Sequence, residues 1–216
     1  MLHNLKYFRT FEQTKQNTNM ERKIKTTYRT SDYMEWNTML SLVRKLYREG
    51  NYRISLLIGC GSFFGLRISD LLTLSWDIIL DADQFTIYEK KTGKRRVVKV
   101  NKEFQRHIQN CYDALKIEDD TEKCFISQKK SVYSVQRINA ILKEVKRKYN
   151  LKIQNFSSHT MRKTFGRKVF ESAGENANLA LVRLSEIFNH SSIAITKIYL
   201  GIRQEELLET YDLLDF

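Results

Sequence analysis

Not one proline occurs in this chain of 216 residues. Every residue therefore keeps its amide N–H, and none is barred from helix by a following pyrrolidine ring. Long uninterrupted helices and few rigid loops are expected, and the apolar pattern fits. In TSDYMEWNTMLSLVRKLYREG the apolar residues fall at 36, 39, 40, 43, 46 and 47, one face of a helix, and Gly50 follows as a stop. The stretch YRISLLIGCGSFFGLRISDLLTLSW is more apolar and predicts a buried helix, a glycine-marked break and a second helix beginning near Arg67.

The segments WDIIL, QFTIYEK and RRVVKV read as short strands, and the last two flank KTGK, whose glycine supplies a tight hairpin turn. EFQRHIQNCYDAL returns to helical spacing. SVQRINAILKEVKRKYN sets Ile138, Ile141, Leu142, Val145 and Tyr149 on one side of a helix and Lys143, Lys146, Arg147 and Lys148 on the other. Three further helices are predicted over roughly 160–172, 178–188 and 192–199, then a tail helix over 203–216. The sum is an α+β chain, mostly α-helical with a small antiparallel sheet. A packed domain of residues 31–216 follows an extended arm, residues 1–30, that carries seven basic and two acidic residues.

The formal net charge is +12, which draws polyanions, nucleic acid above all. No apolar run reaches the roughly 18 residues of a membrane helix, and the polar start MLHNLKYFRTFEQTKQ has no apolar signal core. Cys60, Cys111 and Cys124 are odd in number, show no metal spacing, and suit a reducing cytosol as apolar fillers. No Asp/Glu cluster suggests a Mg²⁺ site, and no metal or cofactor is expected. The charge points to a nucleic-acid partner, and the cysteines point to a cytoplasmic setting.

Four stretches carry candidate chemistry. In NFSSHTMRKTFGRKVFESAG, His159 and Arg162 stand three apart at a helix start, so both can face one anion beside free helix N–H groups. A guanidinium fork best fits a carboxylate or a phosphate. In FFGLRISDLL, Arg67 lies among apolar residues, and Asp70 at i+3 is its expected in-helix partner. In EKKTGKRRVV, Lys90, Lys91 and Lys94 compete for a place at the hairpin tip from which to donate a proton. In IFNHSSIAITKIYLGI, His190 precedes a Ser-Ser helix start and Tyr199 follows nine residues later. Taken singly, each has an ordinary reading as a surface pair, a structural ion pair, a solvated turn or a rim aromatic.

Order and spacing together resemble the tyrosine recombinases, the phage-integrase type. GLRISDLLTLSW resembles that family's first-arginine segment, SHTMRKTFGRKVF its His-x-x-Arg helix, and FNHSSIAITKIYLGI its His…Tyr segment, with Phe-Asn-His where Leu-Gly-His is usual. The resemblance covers about residues 30 to 216. It implies the DNA breaking-rejoining fold and Tyr199 as nucleophile, leaving a 3′-phosphotyrosine and a free 5′-hydroxyl. It further implies Arg67 and Arg162 on the nonbridging oxygens, His159 helping to take the tyrosine proton, His190 on the scissile phosphate, Lys91 protonating the leaving oxygen, and Asp70 holding Arg67. Lys90, Lys94 and Arg95 on the hairpin and Lys143, Lys146 and Arg147 on the basic helix are expected to bind DNA. Transesterification keeps the phosphodiester energy, so religation needs no ATP.

Larger members carry an N-terminal core-binding domain, which about thirty residues cannot supply. The chain is expected to be a minimal member, like the fimbrial-switch invertases, or a fragment. The tail QEELLETYDLLDF has five acidic residues and a Leu207, Tyr211, Leu214 stripe, expected to dock on a neighbour in a synaptic homotetramer. DNA-bending accessory proteins are possible partners. Two other readings stand beside an integrase or invertase: a type IB topoisomerase-like enzyme, and a non-catalytic DNA-binding accessory protein.

Overall fold

The computed structural model describes residues 32–203 and 210–213. The arm expected over 1–30 and most of the tail helix expected over 203–216 lie outside the described residues, and of that tail Thr210–Leu213 form a 3₁₀ turn. In chain order come α1 (Trp36–Arg48), α2 (Tyr52–Phe64), α3 (Ile68–Leu71), α4 (Trp76–Ile79), β1 (Gln84–Tyr88), β2 (Arg95–Lys99), α5 (Lys102–Leu115), α6 (Val135–Lys148), α7 (Ser158–Glu171), α8 (Ala177–Phe188) and α9 (Ile193–Leu200). A 3₁₀ turn, Gly174–Asn176, precedes α8.

Apolar spacing dictates the centre. α2 is apolar on all sides, and Leu56, Leu57, Ile58, Cys60 and Phe64 are all buried. A helix hydrophobic all round must be surrounded, and α1, α5 and α7 pack against it. Amphipathic α1, α5 and α6 each turn one stripe inward, among them Met39, Leu42, Phe104, Ile108, Ile138 and Leu142. Asn101 caps α5 by accepting the amides of Glu103 and Phe104, and Ser134 caps α6 by accepting that of Arg137.

The sheet among the described residues is one antiparallel hairpin, with Tyr88 opposite Arg95 and Gln84 opposite Lys99. Phe85, Ile87 and Val98 face the core. WDIIL is not a strand as its composition suggested. Trp76 and Ile79, three apart, are both fully buried, and the Leu80 amide closes a helical turn on the Trp76 carbonyl at 2.9 Å. An apolar run this short fits either period, and only tertiary packing decides it.

A second, smaller core contains Leu181, Leu184, Phe188, Leu200 and Ile202, with Phe165, Val169 and Tyr199 against it. Helix α7 joins the two cores: Met161 belongs to the first, Phe165 and Val169 to the second. It is also unusually polar for a buried helix, with Thr160, Arg162, Lys163, Thr164 and Arg167 all buried. Buried charges are costly unless satisfied, so this seam is where chemistry is to be sought.

Candidate active site

The site starts where α2 stops. Gly65 takes the left-handed conformation, φ +56°, and a Cβ there would meet the Phe165 ring at 2.5 Å. This turn directs the Gly65 and Phe64 carbonyls at incoming cations. Arg162 donates from Nη1 to the Gly65 carbonyl at 2.6 Å, and Arg96 reaches the Phe64 carbonyl from Nη2 at 2.7 Å and Gly65 at 3.3 Å. Arg67 and Arg162 both donate to the Phe188 carbonyl at the end of α8, each at 3.0 Å. Three guanidiniums are thus held on shared carbonyls from two helix ends. Burial pulls Arg96 and Arg162 down to about 10, so both stay charged at neutral pH.

The expected Arg67–Asp70 pair is not formed. Arg67 is the residue before α3, with extended backbone (ψ 148°), so the helical i, i+3 geometry does not apply to it. It pairs instead with buried Glu89, donating from Nη1 to Oε2 at 2.7 Å, while Arg96 lies 3.9 Å from the other carboxylate oxygen. Burial raises the Glu89 carboxyl, but hydrogen bonds from Thr92 and Arg67 and the charges of Arg67 and Arg96 outweigh it and hold the group below the usual range. Asp70, also buried, accepts the Lys90 amide at 2.9 Å. Its carboxylate therefore ties down the hairpin turn rather than an arginine.

That turn runs from Glu89 to Lys94, with the Gly93 amide on the Glu89 carbonyl at 2.7 Å and Gly93 at φ +66°. Lys90, Lys91 and Lys94 are all exposed there. Lys94 is pulled to the site's rim, donating to Asn189 Oδ1 at 2.8 Å. Arg95 is exposed on β2, whereas its neighbour Arg96 faces inward. Between hairpin and the α8–α9 turn lies a cleft of about 560 Å³, lined by Glu89, Lys94, Arg96, Ser185, Asn189 and His190.

At the start of α7 several of the amides expected to be free are taken. Thr160 Oγ1 takes the Ser157 amide at 3.1 Å, and Asn139 of α6 takes the Ser158 amide at 2.9 Å. Anion binding there falls to side chains. His159 is exposed one turn before Arg162, and partial burial and the charges of Lys163 and Arg162 depress its pKa. Of the basic residues of α6, Lys143 and Arg147 are exposed, and Lys146 donates to the Gln154 carbonyl at 2.7 Å.

The last wall comes from α8 and α9. Asn189 ends α8 in the left-handed conformation, and Ser192 caps α9 by accepting the Ile195 amide. His190 Nδ1 lies 3.0 Å from buried Thr196 Oγ1, and its ring meets Tyr199 edge to face at 5.4 Å. Burial first, then the charges of Arg162 and Arg67, depress its pKa, so it is neutral at pH 7. The Tyr199 hydroxyl is buried and makes no hydrogen bond of ordinary geometry among the described residues, with Arg162 near enough to favour its charged form. Burial pushes this phenol up to about 12, while the charges of Arg162 and Arg67 pull the other way. Among the described residues no His, Cys, Asp or Glu side chains group as metal ligands.

The structure brings Arg67, Arg162, His190 and Tyr199 into one network and leaves His159 and Lys91 exposed at its edges. Arg96 and Glu89 were missed. The signal for both was strand alternation, since Glu89 continues the inward row of Phe85 and Ile87, and Arg96 lies opposite Ile87.

This mostly helical scaffold, with arginines gathered beside a buried tyrosine, has the fold of solved integrase and recombinase catalytic cores. Residues 32–206 match the Phage integrase family, and the chain belongs to that family, the tyrosine recombinases. It is 28% identical over 171 residues to a protein of Bacillus subtilis described as "Probable integrase/recombinase YoeC", covering 78% of this chain and 88% of that one. It is 26% identical to tyrosine recombinase XerD of Rhizobium meliloti over 66% of this chain, but spans only 45% of XerD. XerH recombinase, solved bound to palindromic difH substrate in a post-cleavage complex, shares the fold with a TM-score of 0.62 at 18% identity, over 86% of this chain and 54% of XerH. No helix of the described residues is long and apolar enough to cross a membrane.

Proposed function

We propose that this chain cuts and rejoins double-stranded DNA at specific sites, with Tyr199 as nucleophile. Tyr199 Oη bonds to the scissile phosphorus while its proton passes to His159. The P–O5′ bond breaks, and the leaving oxygen takes a proton from Lys91. A 3′-phosphotyrosine and a 5′-hydroxyl result, and attack by a 5′-hydroxyl reverses the step on the same or a new strand. Arg67 and Arg162 hold the nonbridging oxygens, whose charge grows in the transition state, and neutral His190 adds a hydrogen bond. The observation that carries this reading is the pair of guanidiniums on the Phe188 carbonyl beside a buried phenol that both cations act on. Such a phenol ionises only with help from positive charge.

Grip on DNA is assigned to the hairpin (Lys90, Lys94, Arg95), to Lys143, Lys146 and Arg147 of α6, and to the arm over 1–30, with 31–216 the catalytic domain. Cytoplasmic DNA suits three free, buried cysteines. Assembly into a homotetramer is assigned to the tail, which docks on a neighbour. Exposed Leu179 and Val182 on α8, with Ile195 and Ile198 on the contacting α9, supply apolar surface for a second copy. Deleting 204–216 should weaken assembly on DNA more than single-site binding, and equal loss of both would count against docking in trans. The function is tested by incubating the protein with supercoiled plasmid and chelator. Detergent-trapped adduct from wild type but not Tyr199→Phe is expected. Relaxation without strand exchange between sites would move the reading to a topoisomerase-like enzyme. Tight binding with no adduct would move it to an accessory DNA-binding protein.

A further inference from the structure

Lys163 is a buried cation that the mechanism above does not use. It follows Arg162 on α7 and is only 5% exposed. It makes no hydrogen bond or ion pair among the described residues, and its ammonium lies over the Tyr199 ring, 5.1 Å from the centroid. A methionine would fill the same space without the cost of burying a charge. The other neighbours of the phenol meet it differently: Phe188 and His190 lie edge to face at 5.5 and 5.4 Å. An ammonium over an aromatic face is attracted to its negative quadrupole, and that attraction grows once the ring carries a phenolate charge.

We propose that Lys163 is a positioning residue for Tyr199, holding the ring by its face in the resting site and stabilising the phenolate as the hydroxyl proton leaves. The inference rests on Tyr199 being the nucleophile. Lys163 keeps its own proton throughout, so the atom balance of the cleavage step is unchanged. Its action differs from that of Arg67 and Arg162, which the proposed mechanism assigns to the phosphate oxygens. The charged groups that act on Lys163 and Tyr199 are Asp32, His159, Arg162 and Arg67. Asp32 is held by the Gln154 amide at 2.7 Å and favours the charged lysine, whereas burial, the larger effect, depresses its pKa. The contribution is therefore present at neutral pH and lost as pH rises through a value below that of an ordinary lysine.

The test compares wild type, Lys163→Met and Lys163→Arg for the rate of covalent adduct on supercoiled plasmid, from about pH 7 to about pH 10. Lys163→Met should slow adduct formation about 2- to 30-fold near neutrality. The gap should close as pH rises and wild type loses its ammonium. Lys163→Arg should recover most of the rate and hold its advantage at high pH. A Met defect that stays constant with pH, or that arginine does not rescue, overturns the proposal. So does weaker plasmid binding with a shallower salt dependence, which would make Lys163 a DNA contact. A DNA-free arm combines Lys163→Met with Tyr199→Leu in denaturant unfolding. Non-additive effects are expected, and additive ones would refute the contact. If wild type forms no adduct, the recombinase reading fails, and this cycle still decides on the Lys163–Tyr199 contact.

Discussion

Replacing Glu89 with glutamine keeps the side chain's shape and removes the carboxylate that, among the described residues, is ion-paired with Arg67 and Arg96. Glu89 accepts from Arg67 Nη1 at 2.7 Å and Thr92 Oγ1 at 2.8 Å, and stands 3.9 Å from Arg96. Removing one member of a buried ion pair costs about 3–5 kcal/mol, because the other charge is left unmatched. Glu89 is 3% exposed but the Arg67 side chain is 22% exposed, so water recovers part of the loss. The lower end, about 3 kcal/mol, is expected in urea unfolding near neutral pH. The pH dependence supplies a second readout. The Glu89 pKa is lowered in the folded protein, so its contribution is complete above the unfolded value of about 4.3 and fades as pH falls through the folded one. Glu89→Gln should therefore be destabilised most near neutrality, and less so in acid. Adduct formation should also fall by about 100-fold, since a clamp displaced by 1 Å loses about that much. A variant with wild-type unfolding and the wild-type acid limb would refute the reasoning.

Other substitutions probe the same frame. Gly166→Ala would bring a Cβ to 2.6 Å from Leu200 and 3.0 Å from Phe188, pushing α9 away from α7. Thermal unfolding should show a loss of about 1–3 kcal/mol, with adduct formation lowered as Tyr199 shifts. Arg162→Lys cannot span the Gly65 and Phe188 carbonyls with a single ammonium. Its cleavage rate should drop about 100- to 1,000-fold with plasmid affinity little changed, as read by adduct yield and by gel shift. Asp70→Asn should spare unfolding more than Glu89→Gln does, yet slow cleavage by loosening the turn that carries Lys91. A normal rate for a substrate whose leaving oxygen needs no proton would confirm that route.

The readable features were those that depend on neighbours in the chain. His159 and Arg162 stand one helical turn apart, and the apolar stripes of α1, α5 and α6 follow the 3.6-residue period. The hairpin was legible from Thr92-Gly93 between alternating strands. Pairings across the fold were not. Arg67 chose Glu89 over Asp70 because the helix begins one residue after it, a boundary too fine for periodicity. Lys163 follows Arg162 in sequence with no spacing signal of its own, and only packing against Tyr199 shows it to be buried. WDIIL took its helical turn from the burial of Trp76 and Ile79 in a core built by distant segments.

If Tyr199 is the nucleophile, it becomes covalently joined to DNA without a metal ion. The direct measurement is mass spectrometry of the peptide carrying residue 199 after digestion of adduct trapped on plasmid in the presence of chelator. A nucleotide attached through a phosphodiester to Tyr199, and absent from Tyr199→Phe, is the expected result. Adduct on another residue, or cleavage that needs a divalent ion and leaves the protein unmodified, would contradict it.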